Sequence, residues 1–315
     1  MLGRFVRYWA GYGARAKQND ADRLRVRKSI QQIQKQTVTT SLFQTSKMVG
    51  DPDMELCIDE SLLQGCKFKI TVEGNIASGK TTLLNCFKDK SYAEVLFEPI
   101  DKWQKVGGDN LLGRMYENKE RWGLTFQSYV LLTMMELHHK EQHLPISVLE
   151  RSAFSGRYCF LENLYRSHVL DDLEHSCYTR WFDWLMTTNP PQLDLIVYLQ
   201  TSPEVCLQRL KERQRGEETG ITLDYLQSLH DRHEEWLSNP DNHGWHSNKP
   251  VLILDGDKDC RNEACLFEKM CNKIVHKLLY PACFSPRSCP HNSLMNQTPP
   301  AGSGFPYKAK RNLRL

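Results

Sequence analysis

The chain lacks several things, and each absence narrows what it can be. No apolar run in the 315 residues approaches the roughly 18 needed to span a bilayer as a helix, so no membrane insertion is expected. No C-x-x-C pair occurs among the 11 cysteines, whose odd number and irregular spacing fit reduced thiols better than a secreted disulfide framework. Cys260, Cys265 and Cys271, like the pair His230 and His233, have no second ligand pair at zinc spacing, so no zinc site is expected. The body also lacks a basic excess. Residues 51–300 hold 27 Lys/Arg against 36 Asp/Glu, whereas residues 1–50 hold ten against two. The net charge of +3 therefore comes from the two ends, and a nucleic-acid partner, which would need a basic face on the body, is not expected.

The ends read as addresses or tails. "MLGRFVRYWAGYGARAK" has four basic residues, no acid, and apolar or aromatic residues between the charges. That composition is the amphipathic, Arg-rich, acid-poor one of a mitochondrial transit peptide, and Arg4 and Arg7 break the apolar centre that a secretory signal needs. A basic tail without an address is the alternative. With the polar, patternless stretch after it, residues 1–66 are expected to be transit peptide and linker. Residues 283–315, rich in Pro, Ser, Gly and Asn, are expected to be a disordered basic tail. Lys308, Lys310, Arg311 and Arg314 in it either keep the tail soluble or act as a nuclear import signal, which leaves a cytosolic or nuclear location as the alternative to a mitochondrial one.

Between the ends lies a phosphate-binding loop. Gly74, four residues, then Gly79, Lys80 and Thr81 satisfy G-x-x-x-x-G-K-[ST] in full, after the β-rich "CKFKITVE" and before the helical "TTLLNCF". Backbone N–H groups of Asn75, Ile76, Ala77, Ser78 and their neighbours would face an anion, with the helix dipole behind them. Lys80 would reach the β/γ-phosphates of ATP, the Thr81 hydroxyl would meet Mg²⁺, and Thr82 continues the helix start. An N-K-x-D loop of the GTPase kind is missing, since "NKER" at 118–121 fails its fourth position.

Five short apolar runs, "KFKITVE", "EVLFE", "ISVLE", "LDLIVYL" and "VLILD", each precede a helix-length segment. That alternation predicts an α/β fold with a five-stranded parallel sheet flanked by helices and ligands at the strands' C-terminal ends. Glu73, Glu98, Glu150 and Asp255 stand at those ends, where acids serve either as helix caps or around a metal and a proton. The fourth strand ends instead in Thr201 and Ser202, expected to cap the next helix. In "RLKERQRGEETG", Arg209 aligns with Arg213 and Lys211 with Arg215 if the helix runs on, which predicts an Arg-rich helical lid over a phosphoryl group. A solvated helix with i,i+4 charge pairs is the plainer reading.

The ordered blocks "EGNIASGKTT", "FEPIDKW", "FQSYV", "ERSAFSGRYCF", "LIVYLQTSPE", "RLKERQRGEE" and "LHDRHEEWL" resemble the deoxyribonucleoside kinases, and within them the mitochondrial thymidine kinase and insect multisubstrate branches. The resemblance implies a P-loop kinase domain over 67–282, a homodimer, and transfer of phosphate from ATP, with Mg²⁺, to the 5′-hydroxyl of a small-molecule deoxynucleoside. By resemblance Glu98 takes the hydroxyl proton beside Arg151, Glu150 partners Thr81 at Mg²⁺, and Arg213 and Arg215 clamp phosphate. Gln127 reads the base between the aromatic walls Trp103, Phe126 and Phe160, and Tyr116 and Glu218 bind the 3′-hydroxyl. Val130, Met134 and Gly156 occupy the positions that set specificity, where an apolar Met134 and an uncharged Gly156 point to thymidine and the space at Gly156 to a wider range. Asp255 and Asp257, in "LDGDKD", fall where the family meets the adenine. A non-catalytic accessory subunit of respiratory complex I shares this fold and is the rival reading, although its phosphate loop is altered.

Overall fold

The computed structural model describes residues 60–213, 215–218, 220–238, 249–258 and 264–279. The basic N-terminal stretch and the expected tail at 283–315 lie outside the described residues. Five strands form one parallel sheet: β1 (Phe68–Glu73), β2 (Ala93–Leu96), β3 (Ile146–Glu150), β4 (Leu195–Gln200) and β5 (Val251–Asp255), in the order β2-β3-β1-β4-β5. All five expected runs are strands. The most continuously buried strands, β1, β3 and β4, sit at the centre, where both faces are covered. Register places Val72 of β1 beside Glu150 of β3 and Glu73 beside Tyr198 of β4, so the ends of three strands meet at one edge. That edge is where the chain leaves β1 for the phosphate loop.

Among the described residues, seven α-helices run seven residues or more: α1 (Lys80–Lys88), α2 (Leu111–Glu117), α3 (Lys119–His138), α4 (Asp172–Thr188), α5 (Pro203–Arg213), α6 (Leu223–His233) and α7 (Ala264–Leu279). On one face of the sheet α1 and α7 bury Leu83, Leu84, Phe87, Ile274 and Val275. On the other, α3 and α4 enclose Phe154, Tyr178 and Phe182. Each such aliphatic or aromatic side chain contributes about 1.5–3 kcal/mol when withdrawn from water, so the sheet is a rigid platform for its C-terminal edge. Asn110 caps α2 by accepting from the Gly113 N–H, and Asn118 caps α3 by accepting from the Arg121 N–H. The residues that look like a broken N-K-x-D loop are thus a helix start. Among the described residues, no helix is long and apolar enough to cross a membrane.

Two expectations need adjusting. The linker was expected to reach residue 66, yet Glu60–Leu63 forms a 3-10 turn, and Leu63 and Cys66 are buried. Leu63 is an apolar residue in a polar stretch and packs under the α1 and α7 layer. Thr201, expected as a cap, donates its hydroxyl to the Ser78 carbonyl and so fastens the phosphate loop to β4.

Candidate active site

The loop between β1 and α1 is held by its own backbone. Gly74 has φ 148°, and a Cβ there would lie 2.6 Å from the Leu199 carbonyl oxygen, so only glycine lets the loop pass this close to β4. Gly79 and Ala77 also have positive φ. Asn75 is buried beneath the loop and donates to the Leu226 carbonyl at 2.8 Å, tying the loop to α6. Lys80 is buried and folds back to donate to the Asn75 carbonyl at 2.6 Å. Burial, followed by the nearby Arg151 charge, lowers its ammonium to about 8. A group so short of counter-charge is suited to a polyanion.

Beside the loop stands an oxygen pair. The Thr81 hydroxyl donates to Glu150 Oε1 at 2.5 Å, joining the first turn of α1 to the end of β3. A hydroxyl and a carboxylate at a phosphate loop are the hard oxygen donors that Mg²⁺ takes, so these residues fit that ion.

The acid and base lie one step further along the same edge. β2 stops at Leu96, and Glu98 follows in the loop rather than ending the strand. Arg151, directly after β3, has φ 56° and directs its Nε to Glu98 Oε1 at 3.1 Å, while its guanidinium lies 4.7 Å from the centre of the Phe160 ring. Arg151 Nη1 is buried without a partner. Glu98 has its carboxyl pushed above the usual carboxylate range, because burial outweighs the Arg151 charge. A carboxylate raised in this way is a better proton acceptor near neutral pH than an exposed one.

Above these groups opens a cavity of about 510 Å³, reached by loop residues Ile76 to Thr82 at one end. Its other end is walled by Trp103, Phe126 and Phe160, and floored by Val130, Met134 and Gly156. Trp103 donates its indole N–H to Thr133 at 2.9 Å and meets Phe126 edge to face at 5.6 Å, so both rings are fixed. Gln127, Val130 and Met134 recur at helical spacing along α3, which presents them together. Gln127 is buried, and its Oε1 has no partner, an expensive state for an amide that faces nothing. Gly156 opens a π-helical segment, Gly156–Leu161.

The lid differs in detail from its expected form. α5 ends at Arg213, so Arg215 lies past the helix and does not share a face with Lys211. Arg213 and Arg215 both reach Glu218, at 2.5 and 3.3 Å, and Glu218 is buried in the cavity wall near Tyr116. The phosphate clamp and the 3′-hydroxyl acceptor expected as separate devices are one ion-paired cluster. Asp255 and Asp257 are not brought to the cavity. Asp257 instead accepts from the Ser202 N–H at 2.7 Å at the start of α5, Asp255 accepts from the Asp257 N–H, and Gly256 between them lines the nucleotide end. Asp255 thus satisfies a backbone donor of its own turn, and Asp257 one at the start of α5.

Two contributors escaped sequence reasoning. Arg209 donates to the Ser78 carbonyl at 3.0 Å and lines the cavity, bracing the loop from α5. Its alignment with Arg213 was legible, but its target was not. Tyr225 of α6 also lines the cavity, with Lys119 over its ring at 4.1 Å and burial raising its phenol to about 12. In the sequence it is one more apolar position on an amphipathic helix.

A phosphate loop, an oxygen pair for a metal, a raised carboxylate beside an arginine, and an aromatic-lined acceptor pocket define a P-loop phosphotransferase whose acceptor is a flat ring compound. The family model described as deoxynucleoside kinase matches residues 70–280, and the chain belongs to that family. Over 209 residues it is 46% identical to "Thymidine kinase 2, mitochondrial" of Homo sapiens, covering 66% of this chain and 78% of the relative. It is 37% identical over 235 residues to the deoxycytidine kinase of Homo sapiens, 65% of this chain and 89% of that one. A probable deoxycytidine kinase of fowlpox virus matches at 39% over 201 residues, 63% and 83%. The chain is an ATP-dependent deoxynucleoside kinase, and Lys80, Thr81, Glu98, Arg151 and Arg213 all stand in its site, which leaves the accessory-subunit reading without support.

Proposed function

We propose that this kinase phosphorylates the 5′-hydroxyl of pyrimidine deoxynucleosides, thymidine and deoxycytidine, with ATP and Mg²⁺, in the salvage of DNA precursors. The observation that carries the reading is the unpartnered Gln127 Oε1, set between aromatic walls in the same cavity as Glu98. A carboxamide offers a donor and an acceptor side by side, and turning it over matches either pyrimidine edge. The cavity floor adds Met134 and Val130, apolar partners for a ring without a charged group. A Cβ at Gly156 would meet only Tyr178 Oη and Val130 Cγ1, each at 3.9 Å, so packing does not demand glycine there and a methyl's worth of room is left for larger bases, purines included.

In the proposed reaction Glu98 accepts the proton of the 5′-hydroxyl while Arg151 holds the carboxylate in place through the 3.1 Å contact. Lys80 balances charge at the β/γ-phosphates, and Arg213 and Arg215, already drawn over the cavity by Glu218, stabilise charge spreading on the transferred group. Thr81 and Glu150 would hold Mg²⁺, which supplies positive charge at the phosphate oxygens when bound. Tyr116 and Glu218 take the 3′-hydroxyl.

The relatives include a mitochondrial enzyme, and with the acid-free first 17 residues this supports a mitochondrial location. A homodimer fits an exposed apolar stripe on α4, where Leu173, Trp181 and Trp184 are 72, 57 and 57% exposed and lie at helical spacing.

The test of substrate class is turnover of the four deoxynucleosides and of thymidylate with ATP and Mg²⁺, with the products identified. Thymidine and deoxycytidine are expected to dominate, each giving the 5′-monophosphate. Preference for thymidylate, or for purines over both pyrimidines, would sink the reading.

A further inference from the structure

One helical turn beyond Thr82 of α1 and Phe267 of α7, which line the cavity, two cysteines lie between these helices. Cys86, in the last turns of α1, is half-buried, and its Sγ donates to the Thr82 carbonyl at 3.6 Å. Cys271, in the middle of α7, is fully buried. Cys86 packs against the apolar cluster that contains Cys271, the two side chains interact, and both cysteines are free. Just past α1, Lys90 meets Glu268 of α7 at 2.6 Å, so an ion pair holds the same two helices in register beside the sulfurs.

The two sulfurs are chemically unlike. The interaction with Cys271 lowers the Cys86 thiol to about 7, and Lys90 lowers it further against the opposing effect of burial. The same interaction, then burial, raises Cys271. Burial also raises Cys66, Cys159 and Cys206, so Cys86 differs from these in carrying appreciable thiolate near neutral pH. A partly accessible thiolate in contact with a second thiol is the arrangement of an attacking and a resolving cysteine.

We propose that Cys86 and Cys271 are a reversible oxidation site at which a hydroperoxide links α1 to α7 by a disulfide. The Cys86 thiolate attacks the peroxide and breaks its O–O bond, giving a sulfenic acid and hydroxide. Cys271 sulfur then displaces the sulfenic oxygen: the S–S bond forms, the S–O bond breaks, and the Cys271 proton leaves with that oxygen as water. Two electrons pass from the thiols to the peroxide, and a dithiol reductant reverses the change. The link would lie behind the nucleotide end of the cavity, since α1 begins with Lys80 and Thr81 and α7 contributes Phe267 to the lining. The inference does not depend on which nucleoside is the substrate.

The experiment treats the reduced full chain with equimolar hydrogen peroxide, blocks remaining thiols with N-ethylmaleimide, and maps the digest without reductant by mass spectrometry. The expected result is one dominant linked peptide pair, Cys86 with Cys271, that disappears on dithiothreitol treatment. Cys86→Ser is expected to abolish it, and in Cys271→Ser a sulfenic acid at Cys86 is expected to be trapped by dimedone. If Cys271→Ser does not fold, the Cys86→Ser comparison decides alone, because Cys86 lies at the half-exposed edge. Recovery of both residues as maleimide adducts after peroxide, links scattered among the other cysteines, or Cys86 oxidised to sulfinic acid while Cys271 stays a thiol would each overturn the proposal.

Discussion

At the scale of single residues, the site is a set of groups held in states that water would not favour. Gln127 keeps a buried acceptor unpaired, Arg151 keeps a buried Nη1 unpaired with its backbone at φ 56°, and Glu98 is held above the usual carboxylate range. Each is stabilised when a substrate supplies the missing partner. Glu218 is different, since Arg213 and Arg215 already partner it in the cavity wall beside Tyr116. If Tyr116 and Glu218 bind the 3′-hydroxyl, a nucleoside without it forfeits those hydrogen bonds at a cost of about 1–3 kcal/mol, so 3′-deoxythymidine should lose about tenfold or more in kcat/KM against thymidine. Equal kcat/KM for the two would remove Tyr116 and Glu218 from hydroxyl recognition. Many of these residues were legible because they sit in ordered motifs. Tyr225 was not, because half-buried aromatics on amphipathic helices are ordinary core residues, and nothing in the sequence pairs Asp257 with the distant Ser202 N–H that it accepts from.

At the scale of elements, the five strands were legible as short apolar runs before helix-length segments, since a strand buried on both faces has few polar positions. Their order was not, because nothing in a crossover's length says which neighbour its strand joins. That order is what brings Glu150 beside the phosphate loop, through the pairing of Val72 with Glu150. The lid was legible as a basic helix, but that α5 ends at Arg213 while Arg215 reaches Glu218 was hidden in a densely charged stretch. If α5 and the segment after it act as a clamp on the transferred group, Arg213→Ala should lower the single-turnover transfer rate by about 10²-fold or more, with a smaller rise in nucleoside KM. An unchanged single-turnover rate would reduce Arg213 to a brace for Glu218.

At the scale of the whole molecule, one chain encloses the cavity from the phosphate loop, α2, α3, α5 and α6, so a second copy would serve stability rather than complete the site. The stripe of Leu173, Trp181 and Trp184 along α4, with exposed Leu132 on the adjoining α3, is the surface expected to be covered in the dimer. Light scattering after size exclusion should give twice the chain mass, and Trp181→Glu with Trp184→Glu should return it to one chain mass. A wild-type monomer at micromolar concentration would contradict the homodimer. The N-terminal address is tested by locating a fluorescent fusion with and without residues 1–50, which should be mitochondrial only when they are present. The same distribution for both would contradict it.

The most direct test of the account is the single-turnover rate of phosphate transfer from ATP to thymidine, followed against pH in the wild type and in Glu98→Gln. Glu98 works only when deprotonated, and its carboxyl is raised above the ordinary 4.5, so the wild-type rate should fall on the acid side at a pH above that value. The variant should be slower by about 10²–10⁴-fold, bind thymidine nearly as well, and show no such acid limb. A variant that transfers phosphate at the wild-type rate with the wild-type profile would contradict the account.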